Sequence, residues 1–409
     1  MFDVKKIKKD FPIFENYKRE TGRDLVFLDS AASSQTPKVV VDAMDDYYFK
    51  YRSNIHRSAY NIGEQATNSY EDARKTAAEF INADTNEIIF TNGATDSSNM
   101  LIYALEKKIE WKEGDEVVTT ILEHHSNLLP LQEMAKRNGV KFRHFEMAPD
   151  FNIDYGNLDG LINEKTRIVS MTLASNVTGA ITDVKRVSEA AHKRGAIVIV
   201  DATKAAGHML VDVKSLDCDF LFFSGHKICG PTGIGILYGK YDILNKMPTS
   251  SFGGGTVEDV TMEEAKYSDA PFRFEAGTPN IAGVIGLGAA IKYLEAVGVE
   301  NARKHTQDLV AYAIKKLSTI SGVKIICERD HLKNIGIVSF VVDGVHPHDV
   351  GEILNRHHVA VRGGHHCAIP LMKALGVSAI SRASFYIYNE ESDIDALAEG
   401  IEEAIKIFS

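Results

Sequence analysis

The sequence predicts a doubly wound α/β domain followed by a smaller α+β lobe. Two observations carry this prediction. From about residue 25 to residue 239, short apolar runs rich in β-branched and aromatic residues alternate with helical patterns. Runs that are apolar throughout and alternate with helices are typical of a mostly parallel sheet that is covered on both faces. After residue 253 this alternation ends, and strands and helices follow one another in a different order.

The apolar runs are the predicted strands of the α/β domain. In chain order they are LVFLD (25–29), EIIFT (87–91), EVVTTI (116–121), KFRHF (141–145), RIVSMT (167–172), AIVIVDA (196–202), FLFFSG (220–225) and GIGILYG (233–239). Between them, residues 63–82 and 184–195 space their apolar side chains for one face of a helix. Helices at these positions would cover the sheet.

The rest of the chain predicts the smaller lobe. Its elements are an irregular segment over 251–280, one long helical pattern over 281–320, strands at VKIIC (323–327), IGIVSFVVD (335–343) and AISRASFYIY (379–388), and a closing helix over 391–408. We therefore expect a large domain over residues 20–285. We expect residues 1–19 to join residues 286–409 in the small domain.

Composition and charge exclude several classes of protein. Apolar residues make up 44% of the chain, and no apolar run approaches the about 20 residues that a membrane-spanning helix needs. The N-terminal stretch MFDVKKIKKDFPIF lacks the apolar core of a secretory signal, so we expect a cytoplasmic protein without a membrane partner. The net charge of -10 argues against a nucleic-acid partner. The four cysteines show no CxxC spacing, which disfavours a zinc ribbon or a disulfide framework.

A lysine and an aspartate follow two of the predicted strands. Ligands of doubly wound sheets bind outside the carboxyl ends of the strands, where Lys227 follows FLFFSGH and Asp201 ends AIVIVD. A shielded lysine can attack an aldehyde, and a buried aspartate needs a cation such as a protonated pyridine ring. This pair predicts pyridoxal 5'-phosphate (PLP) as the cofactor.

The phosphate of that cofactor would need hydrogen-bond donors. Ala94 and Thr95 open a predicted helix after a strand, and the first backbone N–H groups of a helix lack partners within the helix. Ser224 and His226 lie next to Lys227 and add two side-chain donors. We therefore expect these four residues to bind the phosphate.

Each of these residues has a simpler interpretation on its own. A lysine after a strand is usually solvated, and an aspartate before a helix is often a cap. A metal enzyme is a second class of protein to consider, because adjacent histidines occur at 124–125, 357–358 and 365–366. However, the sequence has no HExxH spacing, and adjacent residues on a strand point to opposite faces of the sheet, so such a pair does not bind one metal ion easily. A nucleotide-binding P-loop is disfavoured because GPTGIGILYGK lacks its spacing. The combination of residues favours the PLP interpretation.

Four longer motifs carry a resemblance to a known family. SGHKICGPTGIGILYG, EHHSNLLP, FRFEAGTPN and VRGGHHCAIPLM closely resemble the SUF-type (group II) PLP-dependent cysteine desulfurases of the class V aminotransferase-like family. The resemblance implies fold type I, with a mostly parallel seven-stranded-type sheet in a large PLP domain, a smaller C-terminal α+β domain and a homodimer. It also implies removal of sulfur from L-cysteine, which leaves L-alanine and an enzyme persulfide for iron-sulfur cluster assembly or another sulfur-transfer pathway.

The resemblance assigns roles to particular residues of this chain. It implies that Lys227 forms the Schiff base and moves the proton at Cα, that Cys367 is the persulfide-forming nucleophile, and that His124 stacks on the PLP ring and assists proton transfer. The two histidines before Cys367 fit this role, because they help to hold negative charge near a thiolate. A buried structural thiol describes Cys218 or Cys327 better, and the sequence leaves Cys229 undecided.

Further positions match residues that bind cofactor or substrate. Asn176 matches a residue near the cofactor's phenolic oxygen, and Arg382 matches a clamp for the substrate carboxylate, which Arg362 would assist. Thr278 matches a residue that reaches the phosphate of the partner subunit. His56 matches a segment near the active-site entrance, where it would contact substrate.

The chain departs from the family pattern at a few positions. Lys204 stands where the family has a glutamine that donates to the phenolic oxygen, so we expect an added positive charge that lowers the pKa of the cofactor's Schiff base, unless Lys204 turns to solvent. Ala94 replaces a common threonine, and Ser58 and Tyr60 replace a glycine and a histidine.

The sequence leaves three functional alternatives open. A selenocysteine lyase or a cysteine sulfinate desulfinase of the same family fits these motifs, and a scaffold without activity is a third class. The sulfur acceptor, a SufE-like or SufU-like protein or another carrier, is also undetermined.

Overall fold

The computed structural model describes residues 2–57 and 59–408. Its strands, in chain order, are β1 (Val26–Phe27), β2 (Ile88–Thr91), β3 (Glu116–Thr120), β4 (Lys141–Phe145), β5 (Thr166–Thr172), β6 (Ile197–Asp201), β7 (Phe220–Ser224), β8 (Gly235–Gly239), β9 (Val257–Val260), β10 (Ala265–Tyr267), β11 (Val323–Ile325), β12 (Ile337–Val342), β13 (Val359–Ala360), β14 (Arg362–Gly364) and β15 (Ile380–Ser384).

The helices alternate with these strands through most of the chain. They are α1 (Val4–Lys8), α2 (Pro12–Thr21), α3 (Lys38–Lys50), α4 (Asn61–Phe80), α5 (Ala94–Lys108), α6 (His125–Asn138), α7 (Leu158–Leu161), α8 (Val184–His192), α9 (Val213–Leu216), α10 (Tyr241–Leu244), α11 (Ile281–Val297), α12 (Val299–Leu317), α13 (Pro347–Arg356), α14 (Ile369–Ala374) and α15 (Glu391–Phe408).

The central sheet has seven strands in the order β2-β8-β7-β6-β5-β3-β4. Strand β8 runs antiparallel to both of its neighbours, and the other four pairings are parallel. The prediction of a mostly parallel doubly wound sheet is therefore confirmed. Because β5, β6 and β7 are parallel, their last residues, Thr172, Asp201 and Ser224, meet at one edge of the sheet.

The first predicted strand does not belong to this sheet. Within LVFLD, residues Val26–Phe27 pair in parallel with β13 of the C-terminal part of the chain. The expectation that residues 25–29 extend the large sheet is therefore wrong. The pairing carries Asp29, two residues further along the chain, to strand β15, where it bridges to Ser384.

The C-terminal part contains a four-stranded antiparallel sheet in the order β11-β12-β15-β14. Leu309 of α12, Phe340 of β12 and Leu397 of α15 meet in one buried apolar cluster. The three predicted strands and the closing helix are confirmed, whereas the short strands β13 and β14 were not predicted. The sheet places Arg362 directly opposite Arg382.

Two predictions of local structure are wrong. The segment over 251–280 is not wholly irregular, because β9 and β10 form an antiparallel hairpin within it. The helical pattern over 281–320 is two helices that meet at Gly298, whose φ of 85° favours glycine. No single helix among residues 2–57 and 59–408 is long and apolar enough to cross a membrane, although α11 and α12 together pass that test with a bend of 72° between them.

The N-terminal helices contact residues near the end of the chain. The ring of Phe11 meets that of Tyr388 at 5.0 Å, and Lys8 lies 3.7 Å from a carboxylate oxygen of Glu390. Phe2 stacks on His305 with ring centroids 4.7 Å apart. The division into residues 20–285 and residues 1–19 with 286–409 stays a prediction, and these contacts agree with it.

A buried ion pair joins α4 to the segment that follows the hairpin. Arg74 is 1% exposed and donates to both carboxylate oxygens of Glu275, at 2.7 and 2.8 Å. We expect Arg74→Met to lower the free energy of unfolding by about 3–5 kcal/mol, because it leaves Glu275 buried without its cation. Urea unfolding measured by circular dichroism checks this value.

A neighbouring lysine provides the matched control. Lys75 is exposed on the same helix and lies 3.9 Å from Glu79. We expect Lys75→Met to change the unfolding free energy by less than about 1 kcal/mol, because exposed ion pairs contribute little. Equal effects of the two substitutions would show that the Arg74 pair does not stabilise the fold.

Candidate active site

A cavity of about 220 Å³ lies where the edge of the central sheet meets strands β14 and β15. Its walls combine the ends of β5, β6 and β7 with residues of the C-terminal lobe. The predicted site residues that line it are Ala94, Thr95, His124, Asn176, Asp201, Lys204, Ser224, His226, Lys227, Arg362, Cys367 and Arg382. Residues far apart in the sequence are thus brought to one site.

Lys227 and Asp201 occupy the floor of this cavity. Asp201 is 4% exposed, and its Oδ1 accepts a hydrogen bond of 2.9 Å from the backbone N–H of Thr203. Burial raises the pKa of the Asp201 carboxyl, and Lys227 opposes that rise. Burial lowers the pKa of Lys227 to about 8, against the attraction of Asp201. An appreciable fraction of Lys227 is therefore an uncharged, nucleophilic amine near neutral pH.

One end of the cavity is built from the start of helix α5. Ser224 Oγ accepts from the backbone N–H of Ala94 at 2.8 Å, which fixes the helix start against the end of β7. The hydroxyl of Thr95 lies 2.8 Å from that of Ser126. Glycine is required at residue 235, because a Cβ there would meet the Cα of Gly93 at 2.5 Å. This helix N-terminus and the nearby hydroxyls suit an anionic group.

His226 completes that end of the cavity. Its Nδ1 lies 3.3 Å from Ser33 Oγ, and its carbonyl accepts from the backbone N–H of Ser34 at 3.0 Å. Burial and the nearby Lys227 lower the pKa of His226 to about 4. The imidazole is therefore neutral and presents one N–H donor.

His124 lines the cavity as the residue that caps helix α6. Its Nδ1 accepts from the backbone N–H of Ser126 at 3.1 Å, so the ring proton resides on Nε2. Burial, then Lys227, lowers the pKa of His124 to about 4. Glu123 anchors this turn, since its carboxylate accepts from Asn127 Nδ2 at 2.7 Å and from the backbone N–H of Thr172 at 2.9 Å.

Arg362 and Arg382 line the opposite wall, and Asp29 holds both of them. Asp29 accepts from Arg362 Nε through one carboxylate oxygen and from Arg382 Nη2 through the other, both at 3.0 Å. Arg382 also donates to the carbonyl of Asn176 at 2.9 Å. A single carboxylate thus fixes two guanidinium groups and leaves an excess of positive charge. Such an arrangement suits a carboxylate ligand.

Cys367 lies on a tight loop at the mouth of the cavity. It is the exposed cysteine among the four. His366 and Cys367 have φ values of 50° and 54°, a region that residues other than glycine rarely adopt. The backbone N–H of Cys367 donates to His365 Nδ1 at 3.1 Å, and its carbonyl accepts from the backbone N–H of His125 at 2.8 Å.

The other three cysteines are unsuited to nucleophilic chemistry. Cys218, Cys229 and Cys327 are buried, and burial raises the pKa of each thiol to about 12. Cys229, which the sequence left undecided, is held in the core by a hydrogen bond of 2.8 Å from its backbone N–H to Ser34 Oγ. Cys367 is therefore the thiol that can reach a ligand.

Asn176 and Lys204 lie between these two walls. The side-chain amide of Asn176 donates to the carbonyl of His366 at 2.9 Å, so it supports the loop that carries Cys367. Lys204 is 4% exposed, and its Nζ lies 2.9 Å from Nε2 of His208. The alternative that Lys204 turns to solvent is wrong.

The surroundings of Lys204 also bear on its expected positive charge. Burial, followed by repulsion from Lys227 and Arg382, lowers the pKa of Lys204 well below its ordinary value. The ammonium form, on which the expected repulsion of a Schiff base depended, is therefore disfavoured in this cavity. Burial and charge repulsion therefore both oppose the positive charge that the sequence predicts for this side chain.

Two predicted site residues lie outside this cavity. His56 and Thr278 line a second cavity of about 520 Å³ on the same chain. His56 Nε2 lies 2.8 Å from Glu71 Oε1. The expectation that His56 contacts substrate is therefore not met within one chain, because residues 54–57 pack against the segment that carries Thr278. Ser58 lies outside the described residues.

Sequence reasoning missed three residues that support the site. Asp29 is the last residue of the run LVFLD, Glu123 begins the motif EHHSN, and His208 lies four residues after Lys204. Each is a polar residue in or beside a motif, and for Glu123 and Asp29 this position could have indicated a role in the site. The partner of each comes from a distant part of the chain or from a buried turn, and sequence alone does not give such pairings.

The residues present fit PLP. Among the described residues, Thr203 Oγ1, Arg382 Nε and His366 Nδ1 are buried in the cavity wall without a hydrogen-bond partner, which is the state expected of groups that a ligand completes. An amine of lowered pKa and a buried carboxylate lie at one end, with cationic groups opposite. An anionic aromatic aldehyde complements this set of groups.

Comparisons with known proteins identify the family of this chain. The chain matches the aminotransferase class-V family over residues 26–397. It is 46% identical to a probable cysteine desulfurase of Halalkalibacterium halodurans, covering 98% of each chain. The apo structure of the cysteine desulfurase from Thermococcus onnurineus NA1 superposes with a TM-score of 0.93 at 41% identity and 98% coverage of both chains. A cysteine desulfurase from Escherichia coli, solved as an S-sulfonic acid, gives 0.92 at 35% identity and covers 100% of both chains. The chain therefore belongs to the aminotransferase class-V family and, within it, to the cysteine desulfurases.

Proposed function

We propose that this enzyme converts L-cysteine to L-alanine and leaves the sulfur as a persulfide on Cys367. One observation carries the proposal. The exposed thiol of Cys367 lies at the mouth of the same cavity whose floor holds Lys227 and Asp201. Lysine and carboxylate suit PLP chemistry on the amino acid, and the thiol suits removal of its sulfur.

The chain's own residues would hold PLP in a defined way. Lys227 would bind its aldehyde carbon, Asp201 its ring nitrogen, and the start of helix α5 with Ser224 and His226 its phosphate. When bound, PLP supplies an electrophilic carbon and an electron sink for the amino acid. His124, which is neutral, is positioned to cover the ring without adding a charge.

Binding and proton transfer fall to other groups of the cavity. Arg382, assisted by Arg362, would bind the carboxylate of L-cysteine through a charge-assisted fork. Asp29 orients both guanidinium groups for this role. Lys227 has a pKa of about 8, so it accepts and returns a proton near neutral pH and suits transfer at Cα of the substrate.

Cys367 would take the sulfur directly. Its thiolate attacks the sulfur of L-cysteine, an S–S bond forms, and the C–S bond breaks with its electron pair left on the carbon fragment. One proton returns to that carbon, so L-cysteine and a thiol become L-alanine and a persulfide. The exposed position of Cys367 gives its sulfur access to both the substrate and solvent.

Product stoichiometry tests this proposal. Purified protein supplied with PLP, L-cysteine and a thiol reductant should release alanine and sulfide in equal amounts, because the reductant discharges the persulfide after each turnover. Without reductant, alanine should stop at about one equivalent per site, with one added sulfur atom on the peptide that contains Cys367. Alanine production without that persulfide would contradict the proposal.

We further propose that the enzyme acts in the cytoplasm as a homodimer and passes sulfur to a SufE-like or SufU-like acceptor for iron-sulfur cluster assembly. The position of Thr278 supports the dimer, since it lies outside the first cavity together with His56. A second copy of the chain would bring this surface to its neighbour's site. Size-exclusion chromatography with light scattering tests the dimer.

A further inference from the structure

Lys204 differs from the other cations of the cavity in its contacts. Its Nζ lies 2.9 Å from Nε2 of His208, and among the described residues it forms no ion pair with a carboxylate. His208 is 3% exposed, and its ring lies 4.3 Å from that of Tyr386. The other ring nitrogen, Nδ1, has no hydrogen-bond partner within the described chain. An amine and an imidazole thus share one hydrogen bond in a buried place.

The charges that face this pair favour its uncharged form. Lys227, from the turn after β7, and Arg382, from β15, both repel a cation at Lys204. Asp29 attracts it, but the carboxylate of Asp29 already accepts hydrogen bonds from Arg362 and Arg382. Burial adds a desolvation cost to the ammonium form, and it also disfavours a charge on His208, where Lys204 and Lys227 add repulsion.

An anionic ligand would reverse this balance. Lys204 lines the cavity together with Lys227, Arg362 and Arg382, so a phosphate, phenolate or carboxylate bound there lies among these groups. An opposite charge nearby favours the ammonium form and offsets its desolvation cost. Lys204 would then donate a charge-assisted hydrogen bond to the ligand while it keeps its contact with His208.

We propose that Lys204, supported by His208, is an anion-binding residue that gains positive charge when PLP or another anionic ligand enters the cavity. This inference rests on the proposed PLP-dependent function. It adds to that function the uptake of a proton when the ligand binds. When such a ligand binds and Lys204 becomes charged, the complex takes up a proton from solvent on the Lys204 amine. Linkage then requires that affinity falls as the pH rises between the pKa of Lys204 in the free protein and its pKa in the complex.

Calorimetry measures this proton directly. The apoprotein is titrated with PLP at one pH near neutrality in two buffers that differ in ionisation enthalpy, and the difference in heat gives the protons taken up. We expect the wild-type chain to take up more protons than Lys204→Gln, by up to about one per site. Protonation changes of PLP itself occur in both proteins and cancel in this comparison.

Two further variants separate charge from structure. Lys204→Arg carries a permanent charge, so it should lose the extra proton uptake as the glutamine variant does, yet bind PLP at least as tightly as Lys204→Gln. The arginine variant also serves if the glutamine variant folds poorly. Lys193→Gln replaces an exposed lysine and should leave proton uptake unchanged.

The outcomes distinguish this inference from the proposed function. Equal proton uptake by the wild type, Lys204→Gln and Lys204→Arg, with PLP bound in each, would overturn the role of Lys204 and leave the proposed function intact. No PLP binding by the wild-type chain would overturn both. Weaker binding by both variants with an unchanged proton count would assign Lys204 a purely structural role and contradict the inference.

Discussion

Replacing Lys227 with alanine is expected to lower the rate of alanine release from L-cysteine by about 1,000-fold or more. Lys227 is the amine of the cavity floor that has both a pKa of about 8 and a buried carboxylate, Asp201, close enough to attract it. In the proposed function, its loss would remove the amine that binds the aldehyde of PLP and the group that moves the proton at Cα of the substrate. The measurement is alanine released at saturating PLP, compared with the wild type.

A second readout separates chemistry from folding. After reduction with borohydride, the wild-type chain should carry the mass of PLP on the peptide that contains Lys227, and Lys227→Ala should carry none there. Lys193→Ala changes an exposed lysine directly after α8; it is the control and should keep both activity and labelling. Full activity in Lys227→Ala would contradict the assigned role.

Replacing Cys367 with alanine is expected to abolish most activity on L-cysteine, by about 100-fold or more, and to leave activity on L-cysteine sulfinate nearly unchanged. Desulfuration of L-cysteine needs a thiolate to accept the sulfur. The sulfinate group leaves as sulfur dioxide with the carbon–sulfur electron pair left on carbon, so no thiol acceptor is required. Initial rates of alanine release from both substrates test the difference.

The same variant addresses the alternatives within the family. Equal loss on L-cysteine, L-selenocysteine and L-cysteine sulfinate would assign Cys367 a structural role, whereas a wild-type chain that prefers the last two would favour a selenocysteine lyase or a desulfinase. Cys229→Ala is the control. Its thiol is buried with a pKa raised to about 12, so its removal should leave the substrate preference unchanged.

Much of the fold was predictable because each strand and helix is encoded locally. The strands from β2 to β8, apart from the more exposed β4, are buried almost throughout, as their runs predicted. Helix α15 begins and ends at the residues that its pattern indicates. The run LVFLD carried the same signal but joined another sheet, because strand partners are chosen by distant contacts. The hairpin of β9 and β10 was missed because Val257–Val260 is largely exposed and contains two acidic residues.

The candidate site was predictable where chemistry is concentrated in a motif. Lys227 and Asp201 follow strands whose ends had to meet at one edge, so topology alone placed them together. The hydrogen bonds between Asp29 and the two arginines depend on the pairing of β1 with a strand of the C-terminal lobe. No local sequence pattern predicts that pairing. Thr278 could not be placed, since its expected role involves a second chain, and His56 lies beside it in the second cavity rather than at the entrance of the first.

The loop that carries Cys367 has a consequence for how sulfur leaves the enzyme. Its backbone is fastened on both sides, through the carbonyl of His366 to Asn176 and through the carbonyl of Cys367 to the start of α6. A cysteine on a loop held in this way stays near its position and does not move far to deliver the sulfur it carries. If Cys367 carries the sulfur as proposed, we expect an acceptor to bring its own nucleophile to the cavity mouth, so that only acceptors that reach this depth receive the sulfur.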